Sequence, residues 1–344
     1  MNNFKTELTK FHYNRGTQIN PNLLKFFSLC SVFYDLVTSI RNFLYDKLII
    51  LKVECVNARV ISVGNLTTGG VGKTPVVAEI ANFYAKEYGE RVCILSRGYG
   101  GSLDNSEPHL IKDVSGIHYT AQEAGDEPYW LSENTHPEVI VITCANRVKG
   151  AEFAVNKFQV TKIILDDGFQ HRKLYRDCDI VLVDSEKCFG NNRLLPYGPL
   201  RENLSGLNRA DIIYVVSKNI DHSKAETYIK DLKRRTGKDV RLCKIEPDKI
   251  YNIKTGEILD KSQPLTALCA IGQPEQFIKF LADLNVKNKI FFDDHHIYTK
   301  EEISHIKGAI VTTEKDAVKL KPFGLDNIYA LKLKTTINLA QLLR

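Results

Sequence analysis

The stretch SVGNLTTGGVGKTP, Ser62 to Pro75, constrains this chain more than any other. The short apolar run ARVISV leads into it and the helix-like run TPVVAEIANFYAKEYG leads out. A glycine-rich turn between a buried strand and a helix gathers several backbone N–H groups at one point. The positive end of the helix adds to them, and together they make an anion site. Gly69, Gly70 and Gly72 permit the dihedrals and the close approach this requires. Lys73 is placed to reach β- and γ-phosphates, and the Thr74 hydroxyl to ligate Mg²⁺. The pattern G-x-x-x-x-G-K-[ST] asks for glycine at position 67, where this chain has threonine. The contact-making end is intact. Thr67, Thr68, Gly69, Gly70, Val71, Gly72, Lys73 and Thr74 are therefore expected to bind the nucleotide.

Beyond this loop, apolar strand-like runs alternate with helical ones: RVCIL, EVIVIT, KIIL, DIVLV, DIIYVV, TALCAI, KIFF and AIVT. Such alternation implies right-handed crossovers and a mostly parallel sheet, hence an α/β fold of the P-loop NTPase kind. With 344 residues the chain has room for two domains. A polar stretch at Lys218–Lys224 follows DIIYVV and marks a boundary. We expect an N-terminal segment over 1–52, a P-loop core over 53–219 and a smaller α/β domain over 220–344. The eight cysteines form no C-x-x-C pair, which points to reduced thiols and away from a disulfide frame or structural zinc.

Between Leu23 and Leu51, Phe26, Leu29, Phe33, Leu36, Ile40 and Phe43 or Leu44 recur at three- and four-residue steps, the spacing of one helix face. Charges at Lys25, Asp35, Arg41, Asp46 and Lys47 keep every charge-free run far below the ~20 residues that span a bilayer. The helix either lies in a membrane interface or packs on its own domain. Residues 1–60 hold eight Lys/Arg and four Asp/Glu, so most of the chain's +6 charge sits there. A basic, amphipathic end favours an anionic partner such as a membrane or a phosphorylated substrate. Basic residues interleaved with aromatics are not found on one face elsewhere, which argues against nucleic acid.

Four further motifs can carry chemistry. In KIILDDGFQHRKL an apolar strand ends at Asp166, the arrangement that puts a carboxylate beside a phosphate loop to hold Mg²⁺, and Asp167 doubles the charge. In TAQEAGDEPYW, Thr120 and Glu123 suit a capping box, and Asp126 and Glu127 stand just before Pro128 at a helix start. These two carboxylates serve either as base and metal ligand or as simple caps. Arg97 in SRGYGG, Arg147 after Asn146, and Arg201 in LLPYGPLRE are candidate phosphate clamps. In FFDDHHIYTKEE, a histidine–carboxylate group precedes a second capping pair, Thr299 and Glu302.

In this order, VGNLTTGGVGKTP, SRGYGG, GDEP, DDGFQHRKL, LLPYGPLRE, DHH and TTEKDAVKL resemble the tetraacyldisaccharide 4′-kinase family of Gram-negative bacteria, from about Ala58 to Lys319. That family's loop also lacks the first glycine. The resemblance implies transfer of the γ-phosphate of ATP, with Mg²⁺, to the 4′-hydroxyl of tetraacyldisaccharide 1-phosphate, giving the lipid A precursor lipid IVA. It implies two α/β domains around a cleft, and attachment to the cytoplasmic face of the inner membrane through the N-terminal helix. It makes Asp126 the general base and His295, or alternatively His296, its partner. Lys73 is catalytic, and Thr74, Glu127, Asp166 and Asp167 form the Mg²⁺ shell. Arg97, Tyr99, Arg147, Gln170, His171 and Arg201 line the cleft for substrate. No obligate protein partner is implied. A P-loop GTPase is the main rival, but it needs an N-K-x-D guanine reader, and TEKDAVKL does not supply one.

Overall fold

The computed structural model describes residues 2–343 apart from 48–50, 220, 273 and 295. Two helices come first, α1 (Asn2–His12) and α2 (Pro21–Asp46). The nucleotide-loop half follows with β1 (Arg59–Gly64), α3 (Lys73–Tyr88), β2 (Val92–Ser96), β3 (His109–Asp113), β4 (Gly116–Ile117), α4 (Ala121–Ala124), α5 (Asp126–Asn134), β5 (Ile140–Thr143), α6 (Arg147–Phe158), β6 (Lys162–Asp166), β7 (Cys178–Asp184) and β8 (Ile212–Ser217). The remainder adds α7 (Ser223–Thr236), β9 (Asp239–Asn252), β10 (Leu265–Cys269), α8 (Pro274–Phe280), β11 (Val286–Phe291), α9 (Lys300–Ser304), β12 (Ala309–Thr313), α10 (Glu314–Leu320) and β13 (Ile328–Ile337).

Among the described residues these thirteen strands join one sheet, ordered β11-β10-β12-β13-β9-β8-β7-β1-β6-β2-β5-β3-β4. Each apolar run singled out from sequence is a strand in it. Pairing is parallel except where β3 meets β4 and β5, and where β13 meets β9. β1 lies centrally between β6 and β7, so the loop that follows it opens at the carboxyl edge of the sheet, where α/β proteins bind ligands. Helices α3 and α5 cover one face of this part; α6 covers the other. Val, Ile and Leu predominate among the buried strand residues and have almost no exposure, as a sheet covered on both sides demands.

Sequence periodicity did not reveal β3, β9 or β13. The 14-residue β9 reads DVRLCKIEPDKIYN, with charges throughout and Pro247 inside. It pairs parallel with β8 over its first half and antiparallel with β13 over its second, with a register shift near Pro247. A strand whose neighbour and environment change along its length has no single period. This strand joins the two halves of the sheet.

Of the two arrangements expected for α2, its apolar face packed on the domain or left free, the structure has the second. Its polar residues face the protein: Ser31 Oγ donates to the Leu194 carbonyl at 2.9 Å, and Tyr34 OH to the Arg201 carbonyl at 3.0 Å. Asn42 Nδ2 donates to Glu202 at 2.9 Å, and Asp46 pairs with Arg172 at 2.6 Å. Phe26, Leu29, Phe33, Leu36, Ile40 and Phe43 are all exposed. By length and composition α2 is apolar enough to cross a membrane, which its short charge-free runs had hidden.

Candidate active site

The loop from Asn65 to Gly72 sits between β1 and α3, as its sequence requires. Gly69 and Gly72 take left-handed φ of 105° and 104°. At Gly72 that φ strains any side chain, and a Cβ there would also come within 2.6 Å of Ile245 Cδ1, which favours glycine. Thr67 has no such φ. Its backbone forms an antiparallel bridge with Leu200, and Thr68 N–H donates to the Pro199 carbonyl at 2.8 Å. The missing glycine is therefore no defect. Position 67 is extended backbone stitched to the LLPYGPLRE segment, and any residue can adopt that.

Lys73 Nζ donates to Asn65 Oδ1 at 3.0 Å and lies 3.4 Å from Asp167. Asn65 is fully buried and also donates to the Thr67 carbonyl at 2.7 Å. It positions both the loop and the lysine. Sequence reasoning passed over it, although it stands at the strand-to-loop junction where such a tether is needed.

Asp166 ends β6 in register with Val63 and is buried. Ser96 Oγ donates to it at 3.3 Å. Burial, then the carboxylates of Glu127 and Asp167, push its pKa well up from the usual range. A buried carboxylate crowded by two others is a group that a cation would relieve. Asp167 behaves oppositely. Burial works against its ionisation, but Lys73 and Arg201 outweigh that and hold its pKa below the usual range. Arg201 Nη1 reaches both its oxygens, at 2.9 and 2.8 Å. Among the described residues no three of His, Cys, Asp or Glu converge as a ready metal cage. Mg²⁺ does not need one. It is commonly held by one or two carboxylates with waters and substrate phosphates, which Asp166 and Glu127 with the Thr74 hydroxyl fit.

Asp126 and Glu127 open α5 directly after Gly125, whose φ is 92°. A Cβ on Gly125 would meet the Tyr99 carbonyl oxygen at 2.7 Å, so the GDEP turn is packed against the SRGYGG turn. Two lysines of α10 come across to this pair: Lys319 lies 2.9 Å from Asp126, and Lys315 lies 3.4 Å from Glu127. Neither was recognised from sequence; their spacing of four was the available signal.

The other candidates divide. Arg97 and Tyr99 are exposed at the carboxyl end of β2. Arg201 and Gln170 are partly buried beside the loop, Gln170 donating to the Asn65 carbonyl and to Glu202 at 3.0 Å each. Arg147 instead points inward. It is buried, donates to the carbonyls of Cys144 and Asp166, and its pKa falls to about 10 through burial. His171 is held neutral, its pKa driven down to about 4 by burial and then by surrounding cations including Arg147. Of the DHH histidines, His295 lies outside the described residues. His296 stacks on Phe292 at 4.4 Å and contacts Glu302 at 3.2 Å, within the cap of α9.

A family model described as Tetraacyldisaccharide-1-P 4′-kinase matches residues 23–344. The chain is 37% identical to a tetraacyldisaccharide 4′-kinase of Halothermothrix orenii, over 92% of this chain and 91% of that one. It is 39% identical to one of Chlorobaculum parvum, over 82% and 80%. A crystal structure of LpxK from Aquifex aeolicus in complex with ATP superposes with a TM-score of 0.75 at 33% identity, covering 93% of this chain and 97% of that one.

Proposed function

This chain belongs to the tetraacyldisaccharide 4′-kinase family, and from that premise we propose how its residues carry out the reaction. The reaction moves the γ-phosphate of ATP to the 4′-hydroxyl of tetraacyldisaccharide 1-phosphate and yields lipid IVA. The observation that carries the assignment of roles is one electrostatic cluster. Lys73 of the phosphate loop lies 3.4 Å from Asp167 in DDGFQHR, and the neighbouring Asp166 ends β6 in register with Val63 of β1, the strand that leads into that loop.

Phosphoryl transfer asks mainly for positioned groups and offset charge. The 65–72 loop and the α3 N-terminus hold the nucleotide phosphates, and Lys73, set by Asn65, meets the transferring end. Asp166, Glu127 and Thr74 would hold Mg²⁺, which would supply positive charge to offset that of the transferring phosphate. Asp126 takes the proton of the 4′-hydroxyl, with His295 as its partner, which makes a weak nucleophile competent. Arg201 and Gln170 border the phosphates, and Arg97 and Tyr99 the sugar side. Arg147 works from behind, supporting Asp166 through its main chain. His171, kept neutral, offers hydrogen bonds without adding charge. Residues 53–219 act as the phosphate-loop unit and 220–344 as a second unit that brings Lys315 and Lys319 to Glu127 and Asp126.

The exposed face of α2 supports attachment to the inner membrane, on its cytoplasmic side, where the ATP is. Its polar stripe is held by protein from Ser31 to Asp46. Spanning would carry that stripe and its partners to bilayer depth, where polar groups find no water, so α2 lies flat in the interface. Phe33→Glu with Leu36→Glu, at side chains 68% and 56% exposed, is expected to weaken vesicle binding at least about 100-fold, since each apolar side chain contributes about 1.5–3 kcal/mol. Vesicle sedimentation checks this, with the melting temperature unchanged.

The function itself is tested by supplying the detergent-solubilised protein with γ-labelled ATP, Mg²⁺ and tetraacyldisaccharide 1-phosphate. Label on the lipid is the expected result. Nucleotide binding or hydrolysis with no label on the lipid would overturn the assignment.

A further inference from the structure

Asp126 and the DHH turn come from opposite halves of the sheet. Asp126 is fixed on α5 by the packed Gly125 turn, whereas the DHH turn lies between β11 and α9. Lys319 touches both. Its Nζ lies 2.9 Å from Asp126 Oδ2 and donates to the His296 carbonyl at 3.2 Å. Both side chains of the ion pair are nearly buried, at 13% and 12% exposure.

The lysine stands on a braced support. Helix α10 is capped by Thr313, whose Oγ1 accepts from Asp316 N–H at 3.1 Å and donates to Asp316 Oδ2 at 2.8 Å. That same Oδ2 accepts from Ala270 N–H at 3.1 Å, which ties the helix to the end of β10. Further along, Lys321 pairs with Glu133 of α5 at 2.8 Å, and Lys315 lies beside Glu127. So α10 and the residue just after it meet α5 through three lysine–carboxylate pairs. The outer pairs are more exposed and contribute little to stability. The Lys319 pair is sheltered, and this docking is what brings it to Asp126.

Taking Asp126 as the base of the proposed reaction, on which this rests, we infer that Lys319 is a positioning residue for catalysis. It holds the Asp126 carboxylate in one orientation and ties it to the His296 backbone. The ammonium group has three donors, and two are engaged in this bridge. Loss of a group that sets reacting geometry shows in turnover, because a displacement of about 1 Å can cost about 100-fold. Lys319 acts through Asp126.

Lys319→Met is expected to lower kcat about 10- to 100-fold with KM for ATP and for the disaccharide little changed. Lys319→Arg, which keeps a cation at the end of a long stem, is expected to recover most of the loss. In an Asp126→Asn background, Lys319→Met is expected to change the residual single-turnover rate less than about twofold, because groups that act as one unit are not additive. Lys319→Gln carries the same comparison should the Met variant not fold. A KM effect alone, a kcat near wild type, or a full further loss in the Asp126→Asn background overturns the inference. Wild-type transfer, run alongside, separates that outcome from failure of the kinase assignment.

Discussion

Asparagine at position 126 is expected to lower turnover of 4′-phosphorylation at least about 100-fold, the lower end for losing a general base. The substitution keeps the shape of the side chain and its place in the first turn of α5, behind Gly125. It removes the basic oxygen that accepts the proton. ATP binding is expected to persist, because the nucleotide contacts come from the 65–72 loop, Lys73 and the α3 N-terminus. Lys319, 2.9 Å away, would face a neutral amide and keep its second contact to the His296 carbonyl. The check is a pair of measurements: initial rates of label transfer in detergent, and calorimetric binding of a non-hydrolysable ATP analogue. If analogue binding fell as far as the rate, Asp126 would belong to the nucleotide or metal shell and the base would have to be sought elsewhere.

Alanine at position 73 is expected to cost at least about 100- to 1000-fold in transfer, the range for removing one preorganised charge-stabilising donor. Here nucleotide affinity should fall too, since Lys73 meets the phosphates before and during the reaction. The fold should survive. Asp167 would lose the lysine at 3.4 Å but keep Arg201 on both oxygens, so its charge is not left without a partner. Asn65 would lose one of its bonds and keep its donation to the Thr67 carbonyl. A melting temperature near wild type with transfer at background would bear this out. Turnover within a few-fold of wild type would remove the central phosphate contact from the mechanism. The two variants differ in signature: one loses rate alone, the other rate and binding together.

Much of this was legible in the chain. The glycine loop announces itself because its job is done by consecutive backbone groups, and its residue types follow from local dihedrals. The parallel strands show as apolar runs because both faces are covered. The carboxylates could be read only in part. The motif DDGFQHR displays two of them, but not that Asp167 is taken by Arg201 while Asp166 is left buried and crowded by Glu127. Likewise Arg147 reads as a clamp in sequence and is an inward support in the fold.

By itself, then, the sequence determined the sheet's apolar strands, the phosphate loop, and the identity of the groups able to do chemistry. These depend on neighbours within a few positions, where hydrogen-bond geometry and side-chain period act directly. Only the tertiary structure showed why Thr67 is harmless, that α2 turns its polar side inward, and that Lys319 spans from α10 to Asp126. Each depends on contacts between residues far apart in the chain: Thr67 with Leu200, Asn42 with Glu202, Asp126 with Lys319. Such contacts are chosen by packing of the whole sheet and its helices, and no local pattern encodes a partner that only folding brings near.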